Sequence, residues 1–447
     1  MQKTLLKVLS YELFEQTARC SALLSEMTQE SDSLSLAYIE RLHTSLNKLK
    51  ETIFSEKDFF LELFDEKSLK SREFQETFPS NISKAIETPY QQLCHLVSEA
   101  LRINRLNVLP ETAMFLNTSL PLSALDKSRL PAKPSILQRS VVFSATPQPL
   151  PSPFSKESIF LEQLPLLQRN NALGWLQLGN AYIAATLASG PAFSTFQKKA
   201  DGQLSEPLFC NALFQHALAL RLFGPAYYYH IVISAILNQD DALLIELEPT
   251  LFKGLNYFNF MGKNLVILHE SAEKIRSLFS NNPAQELKHQ PLPEAQIEQI
   301  FRATEKLVPE SRAFTAKQYN IALSLQERLT QNTLYSSRTL YPSHEIQDKV
   351  STCLEQIEQG SSETSIYNVL GDVSEVPNSP LEMINAAWIY KIERSPIWLY
   401  NLLSTNNTDS DAFSVFEALE NHIGTHDHLL LKSIETSEIH RVLLTAV

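Results

Sequence analysis

Glycine is scarce in this chain: 10 residues in 447, about 2% against a usual level of about 7%. The first is Gly174. Glycine supplies positive φ and close backbone approach, so its scarcity excludes a glycine-rich phosphate loop or a set of tight primed hairpins. Cysteine is also rare. Cys20, Cys94, Cys210 and Cys353 are widely scattered with no CxxC pair, which excludes a disulfide framework and implies free thiols in a reducing, cytoplasmic setting. No basic stripe is present. The net charge is -12, and an acidic body is repelled by phosphate backbones, so no nucleic-acid partner is expected. Long apolar runs are missing too. The longest charge-free stretch, Asn170–Gln197, contains three asparagines, two glutamines and Pro191, too polar for a membrane span. The N-terminal stretch is broken by Lys7, Glu12 and Glu15 and does not read as a secretory leader.

What the chain does contain is helix periodicity. Hydrophobic residues make up 44% and charged residues 20%, a globular balance. Leu5, Leu9, Leu13, Cys20, Leu24 and Met27 fall on one helical face. Tyr38, Leu42, Leu46, Leu49 and Ile53 fall on another, the pattern of an antiparallel hairpin with solvated outer faces. Thr88-Pro89-Tyr90-Gln91 has the form of a helix start with a capping box. Eight of the 23 prolines then crowd into residues 109–153, where helix cannot persist. Ser140–Phe143 is the one short segment there suited to a strand.

The expected fold is all-α. Residues 1–108 form an N-terminal helical bundle, 109–156 a proline-rich connector, and 157–447 a larger helical domain that divides again near 283–293. Charge separates these parts. Residues 1–156 hold 18 basic and 18 acidic side chains, whereas the remainder holds 20 and 32 of the chain's 38 and 50. Residues 157–260 carry only 13 charged side chains, so helices there should be central. Gly190-Pro191 and Gly224-Pro225 are matching helix breaks 34 residues apart, the tetratricopeptide period. Trp175, Leu178, Gly179 and Tyr182 fit the first helix of such a repeat, but Pro191 and Thr195 do not fit the second. A partly repeat-like array is thus an expectation carried by half a motif. Further on, Ser379-Pro380-Leu381-Glu382 is a proline-bearing capping box, Ser395-Pro396 opens an aromatic helix, and Gly360 and Gly424 suit helix ends.

Two clusters carry chemistry. His422, His426 and His428 lie within seven residues, with His440, Glu435 and Glu438 downstream. Neutral imidazoles at this density suit zinc or iron, while the plainer reading is histidines at a turn, favoured there by the helix dipole. The second set is His216, His230 and His269 with Glu246 and Glu248, beside Tyr227, Tyr228 and Tyr229. It is a candidate pocket, most of all His216, Tyr229 and His230, or else a set of core polar groups bonded to their neighbours. No nucleophile elbow, Walker loop, zincin helix or complete calcium loop is present, and no cofactor is expected outside that zinc or iron option. The function these features favour is a helical scaffold or adaptor for a protein partner, with Trp398 and Tyr400 as interface candidates. The alternative is an enzyme with a histidine-built site in the C-terminal helices.

Overall fold

The computed structural model describes residues 2–30, 33–65, 81–104, 138–144, 159–177, 207–237, 243–260, 262–280, 293–308, 313–330, 379–405 and 411–445, with isolated positions between them. The fold is all-α. Its helices are α1 (Gln2–Gln29), α2 (Ser33–Ser55), α3 (Lys57–Glu62), α4 (Thr88–Ile103), α5 (Pro207–Phe223), α6 (Pro225–Leu237), α7 (Glu248–Tyr257), α8 (Lys263–Ser280), α9 (Glu294–Leu307), α10 (Ala316–Thr330), α11 (Pro380–Glu393), α12 (Ser395–Thr405) and α13 (Ala412–Thr445). The exception is a two-stranded parallel ladder, β1 (Gln138–Ser144) on β2 (Ile159–Pro165), with Val141 opposite Glu162. Ser140–Phe143 lies within β1, whereas β2 occupies residues expected to be helical.

Local punctuation works as its chemistry dictates at the C-terminal end. Ser379 accepts from the Glu382 amide, Glu382 returns a carboxylate oxygen to the Ser379 amide, and Pro380 opens α11. Pro396 likewise stands in the first turn of α12. At the α5–α6 junction Gly224 takes φ +70°, and a Cβ there would lie 2.2 Å from the Phe314 ring. The break is deeply buried, so its backbone groups need partners. Asn385 of α11 supplies them: its Nδ2 donates to Phe223 O at 2.8 Å and its Oδ1 accepts from Ala226 N at 2.8 Å.

Two expected signals read differently. Thr88 does not cap α4, because a π-turn over Ser83–Glu87 runs straight into it. Gly424 does not end a helix: it lies inside the 34-residue α13, so the histidine segment is helical and not a turn. Of the repeat motif, Trp175 closes a short 3-10 helix over Ala172–Trp175. Leu178, Tyr182 and the Gly190-Pro191 break fall outside the described residues, as do Gly360, most of the proline-rich segment and 283–292.

Nearly all the buried apolar side chains among the described residues form one contiguous cluster. It runs from Leu5 to Leu430 and joins α1 and α2 to α11, α12 and α13. Phe14 of α1 sits edge-on to Phe60 at 5.1 Å and stacks on Phe416 of α13 at 5.3 Å. The apolar faces read from the sequence are inside, but α1 is not half solvated. Ser10, Glu12, Glu15, Gln16, Thr17, Arg19 and Ser21 are buried with its leucines. Packing against α2, α4, α8, α12 and α13 encloses most of the helix from Leu5 to Ser21, and beyond it Ala22, Ser25 and Thr28 are exposed. The low-charge α6 is buried all round as its composition requires, with Tyr227, Tyr228 and Tyr229 fully enclosed.

Candidate functional site

The charged residues of α1 meet partners from the far end of the chain. Arg19 Nε donates to Glu15 Oε1 at 2.9 Å, one turn earlier, and its two terminal nitrogens grip the Asp427 carboxylate of α13, Nη2 to Oδ1 at 3.0 Å. Lys391 Nζ of α11 lies 2.6 Å from Glu12 Oε2 and 2.9 Å from Glu15 Oε2. Lys50 of α2 donates to Ser21 Oγ and Glu420 Oε1 at 2.9 and 2.8 Å. Burial alone would raise Glu15, but the charges of Lys391 and Arg19 outweigh it and hold this carboxylate at about 2. Burial raises Asp427 in spite of Arg19, so it is easier to protonate than a free aspartate. This is a lattice of largely buried charge tying four helices together.

The histidines His422 and His426 stand beside that lattice. They are one turn apart on α13, with ring centroids 4.3 Å apart. His422 stacks flat on Trp398 of α12 at 3.9 Å, and His426 stacks on Tyr390 at 5.6 Å. Burial pulls His422 down to about 3 and His426 to about 4, so both are neutral imidazoles. The side chains of His428 and His440 lie outside the described residues. Among the described residues, no three His, Cys, Asp or Glu side chains converge in a way that could hold a metal ion.

The second polar set separates into pairs. His216 Nδ1 of α5 lies 2.6 Å from Tyr227 Oη, and burial takes it down to about 4. Glu248, with no exposure, accepts a hydrogen bond from Tyr228 Oη and sits 2.8 Å from His269 Nδ1. His269 in turn stacks on Phe252 at 3.7 Å. Tyr229 packs over Trp388 at 6.5 Å, and burial raises its hydroxyl well above the ordinary tyrosine range. His230 faces a cavity. That space, of about 80 Å3, is bounded by Glu12, Gln16, Cys94, His230, Trp388 and Lys391. Burial, with the Lys391 charge second, brings His230 to about 4, and burial raises the Cys94 thiol. A few ordered waters fill such a volume. It is far below the ~300 Å3 of an ordinary small-molecule pocket.

A larger concavity among the described residues is a groove that the sequence did not signal. It has a volume of about 810 Å3 and runs between α1 and α13. Its lining follows the helix repeat on both walls: Ala18, Ala22 and Glu26 on α1, Glu420, Gly424 and Asp427 on α13. Leu23, Leu106, Leu166, Leu167, Ile423 and Leu431 supply apolar surface. Trp398 and Tyr400 do not line it. Trp398 is partly buried under His422, and Tyr400 stacks on Phe64 at 4.7 Å. No sequence pattern announces the groove, because its walls come from opposite ends of the chain. Compared with family models, with curated proteins and with solved structures, the chain matches none of them.

Proposed function

We propose that this protein is a helical scaffold or adaptor that binds another protein through the groove between α1 and α13. The observation that supports this reading above all is the shape and lining of that groove. It follows about three turns of each helix and sets leucine and alanine side chains among charged ones of both signs, a form into which an amphipathic segment docks. The rigid bedding of both walls adds support, since Arg19, Asp427, Lys50 and Glu420 fix α1 and α13 against each other. A preformed groove loses little entropy when it is filled. The alternative of a histidine-built catalytic site is less well served. The one histidine on the small cavity titrates near 4 and the cavity's thiol is raised, whereas proton transfer at neutral pH wants a group near 7. A cytoplasmic setting agrees with the free thiols Cys20 and Cys94. No helix among the described residues is long and apolar enough to cross a membrane.

Photo-crosslinking tests the reading. A benzophenone side chain at Ala22, which lines the groove, should capture one discrete protein in cells. The same group at exposed Lys48 on α2 should not. The captured protein, made recombinantly, should then bind the purified chain saturably. Equal capture from both positions, or no saturable binding, sinks the adaptor reading.

A further inference from the structure

His269 is held at one ring nitrogen and presented at the other. Glu248 opens α7 with no exposure. Its Oε1 accepts from the Tyr228 hydroxyl and lies 2.8 Å from His269 Nδ1. An oxygen that accepts from the tyrosine accepts from the imidazole as well, which assigns the ring proton to Nδ1. Phe252, one turn along α7 from Glu248, lies flat against the ring at 3.7 Å with 8° between the planes. The hydrogen bond fixes the tautomer and the stack fixes the plane. Together they aim Nε2 in one direction, the support that a metal-bound histidine receives from a carboxylate behind it.

Nε2 faces the carboxylate of Glu273, one turn later on the same side of α8. The nitrogen and Oε1 are 3.9 Å apart. That is too long for a hydrogen bond, which needs about 2.7–3.2 Å. It is within the span of one zinc-like ion, which binds each atom at about 2.0–2.2 Å and so bridges up to about 4.2 Å. A tetrahedral angle at the ion asks for about 3.4 Å. The exposed Glu273 side chain can swing that far, whereas the stacked ring is fixed. His269 keeps 17% of its side-chain surface and Glu273 51%, so water reaches the space between them. Among the described residues no third His, Cys, Asp or Glu joins the pair, and water would complete the coordination. Imidazole with carboxylate suits the borderline divalent ions.

We propose that His269 and Glu273 form an open, solvent-facing site for a zinc-class divalent cation, with Glu248 as the positioning residue behind the imidazole. The site is independent of the groove and of the adaptor reading. The test is calorimetric titration of Zn2+ into the full-length chain, purified without a histidine tag, with Co2+ absorption reporting the ligand set. Each variant is compared with the wild-type chain, so that zinc held by other histidines cancels. His269→Ala should abolish one site. Glu273→Gln should weaken that same site at least about threefold. Its exposed position leaves the melting temperature unchanged, so this variant reads the ion without touching the core. Glu248→Gln should weaken the site about tenfold and move the Co2+ band, because a poorer acceptor behind the ring lowers the basicity of Nε2. A loosened fold alone would not move that band. Equal zinc affinity and stoichiometry in wild type, His269→Ala and Glu273→Gln overturns the proposal. So does a site that His269→Ala removes and Glu273→Gln leaves untouched, since the imidazole would then act without its neighbour. Absence of saturable binding below about 1 mM Zn2+ overturns it as well.

Discussion

Helix α6 and residues 5–21 of α1 are both enclosed by other helices, yet only one of them looks buried in the sequence. α6, with Pro225, Tyr227–Tyr229 and a run of aliphatics, has no ionised side chain to place. Burial there follows from composition alone, through the ordinary cost of leaving apolar area in water. α1 carries Glu12, Glu15 and Arg19, and its pattern reads as a surface helix with one apolar stripe. It is central because Lys391 and Asp427 arrive to compensate those charges. A charge is excluded from a core only while it lacks a partner, and the partner is invisible along the sequence when it lies 408 residues away.

The largest expected effect breaks the α1 side of this comparison. Lys391→Met leaves Glu12 and Glu15 buried without their shared cation and should cost about 3–5 kcal/mol. The urea midpoint at pH 7 measures it. Adding Glu12→Leu and Glu15→Leu to that variant should return much of the loss, because an apolar triad of similar volume no longer has charges to desolvate. If Lys391→Met alone is neutral, the ion lattice does not hold α1 in place.

Acid sharpens the α6 side. His216, in α5 against Tyr227, is held at about 4 by burial. Its folded value lies below the unfolded 6.5, so its contribution is complete above pH 6.5 and is lost as pH falls from 6.5 towards 4. The distance between the two values is worth at most about 3 kcal/mol for one partly buried imidazole. His230 and His426 at about 4, and His422 at about 3, act in the same direction. Stability followed by urea titration should therefore drop steadily below pH 6.5. His216→Asn should flatten that slope by about one proton. Glu15 adds its own loss lower down, between pH 4.5 and about 2, because its folded value is depressed.

Glycine separates the two regions on a smaller scale. Gly224→Ala, at the α5–α6 break, forces a left-handed alanine against the Phe314 ring. It should cost at least about 2 kcal/mol from backbone strain and steric displacement together. Gly424→Ala, beside α1, should do the opposite and stabilise the chain by about 0.5–1 kcal/mol. Paired thermal melts would show both signs. A destabilised Gly424→Ala would mean that the glycine has an internal role after all.

Much of the helical framework was legible in residues a few positions apart. The Ser379–Glu382 box, the Pro396 start and the Gly224-Pro225 break all depend on hydrogen bonds and steric limits within one turn. Thr88 misled because its cap is needed only where a helix begins from non-helical chain, and a π-turn precedes it here. Gly424 misled for a related reason: glycine permits a helix end and does not enforce one. The histidines were visible as a group. Their pairings were not, since stacking of His422 on Trp398 depends on how α12 crosses α13.

The sequence by itself determined that this would be a helical protein, where several helices start and stop, and that residues 225–237 must be enclosed. These follow from local sterics and from the shortage of charge. Only the tertiary structure decided that α1 lies at the centre, which cations meet Glu12 and Glu15, and that α1 and α13 leave a groove between them. The reason is that charge compensation and surface shape depend on distances through space, and helices from opposite ends of a chain set those distances only when they pack.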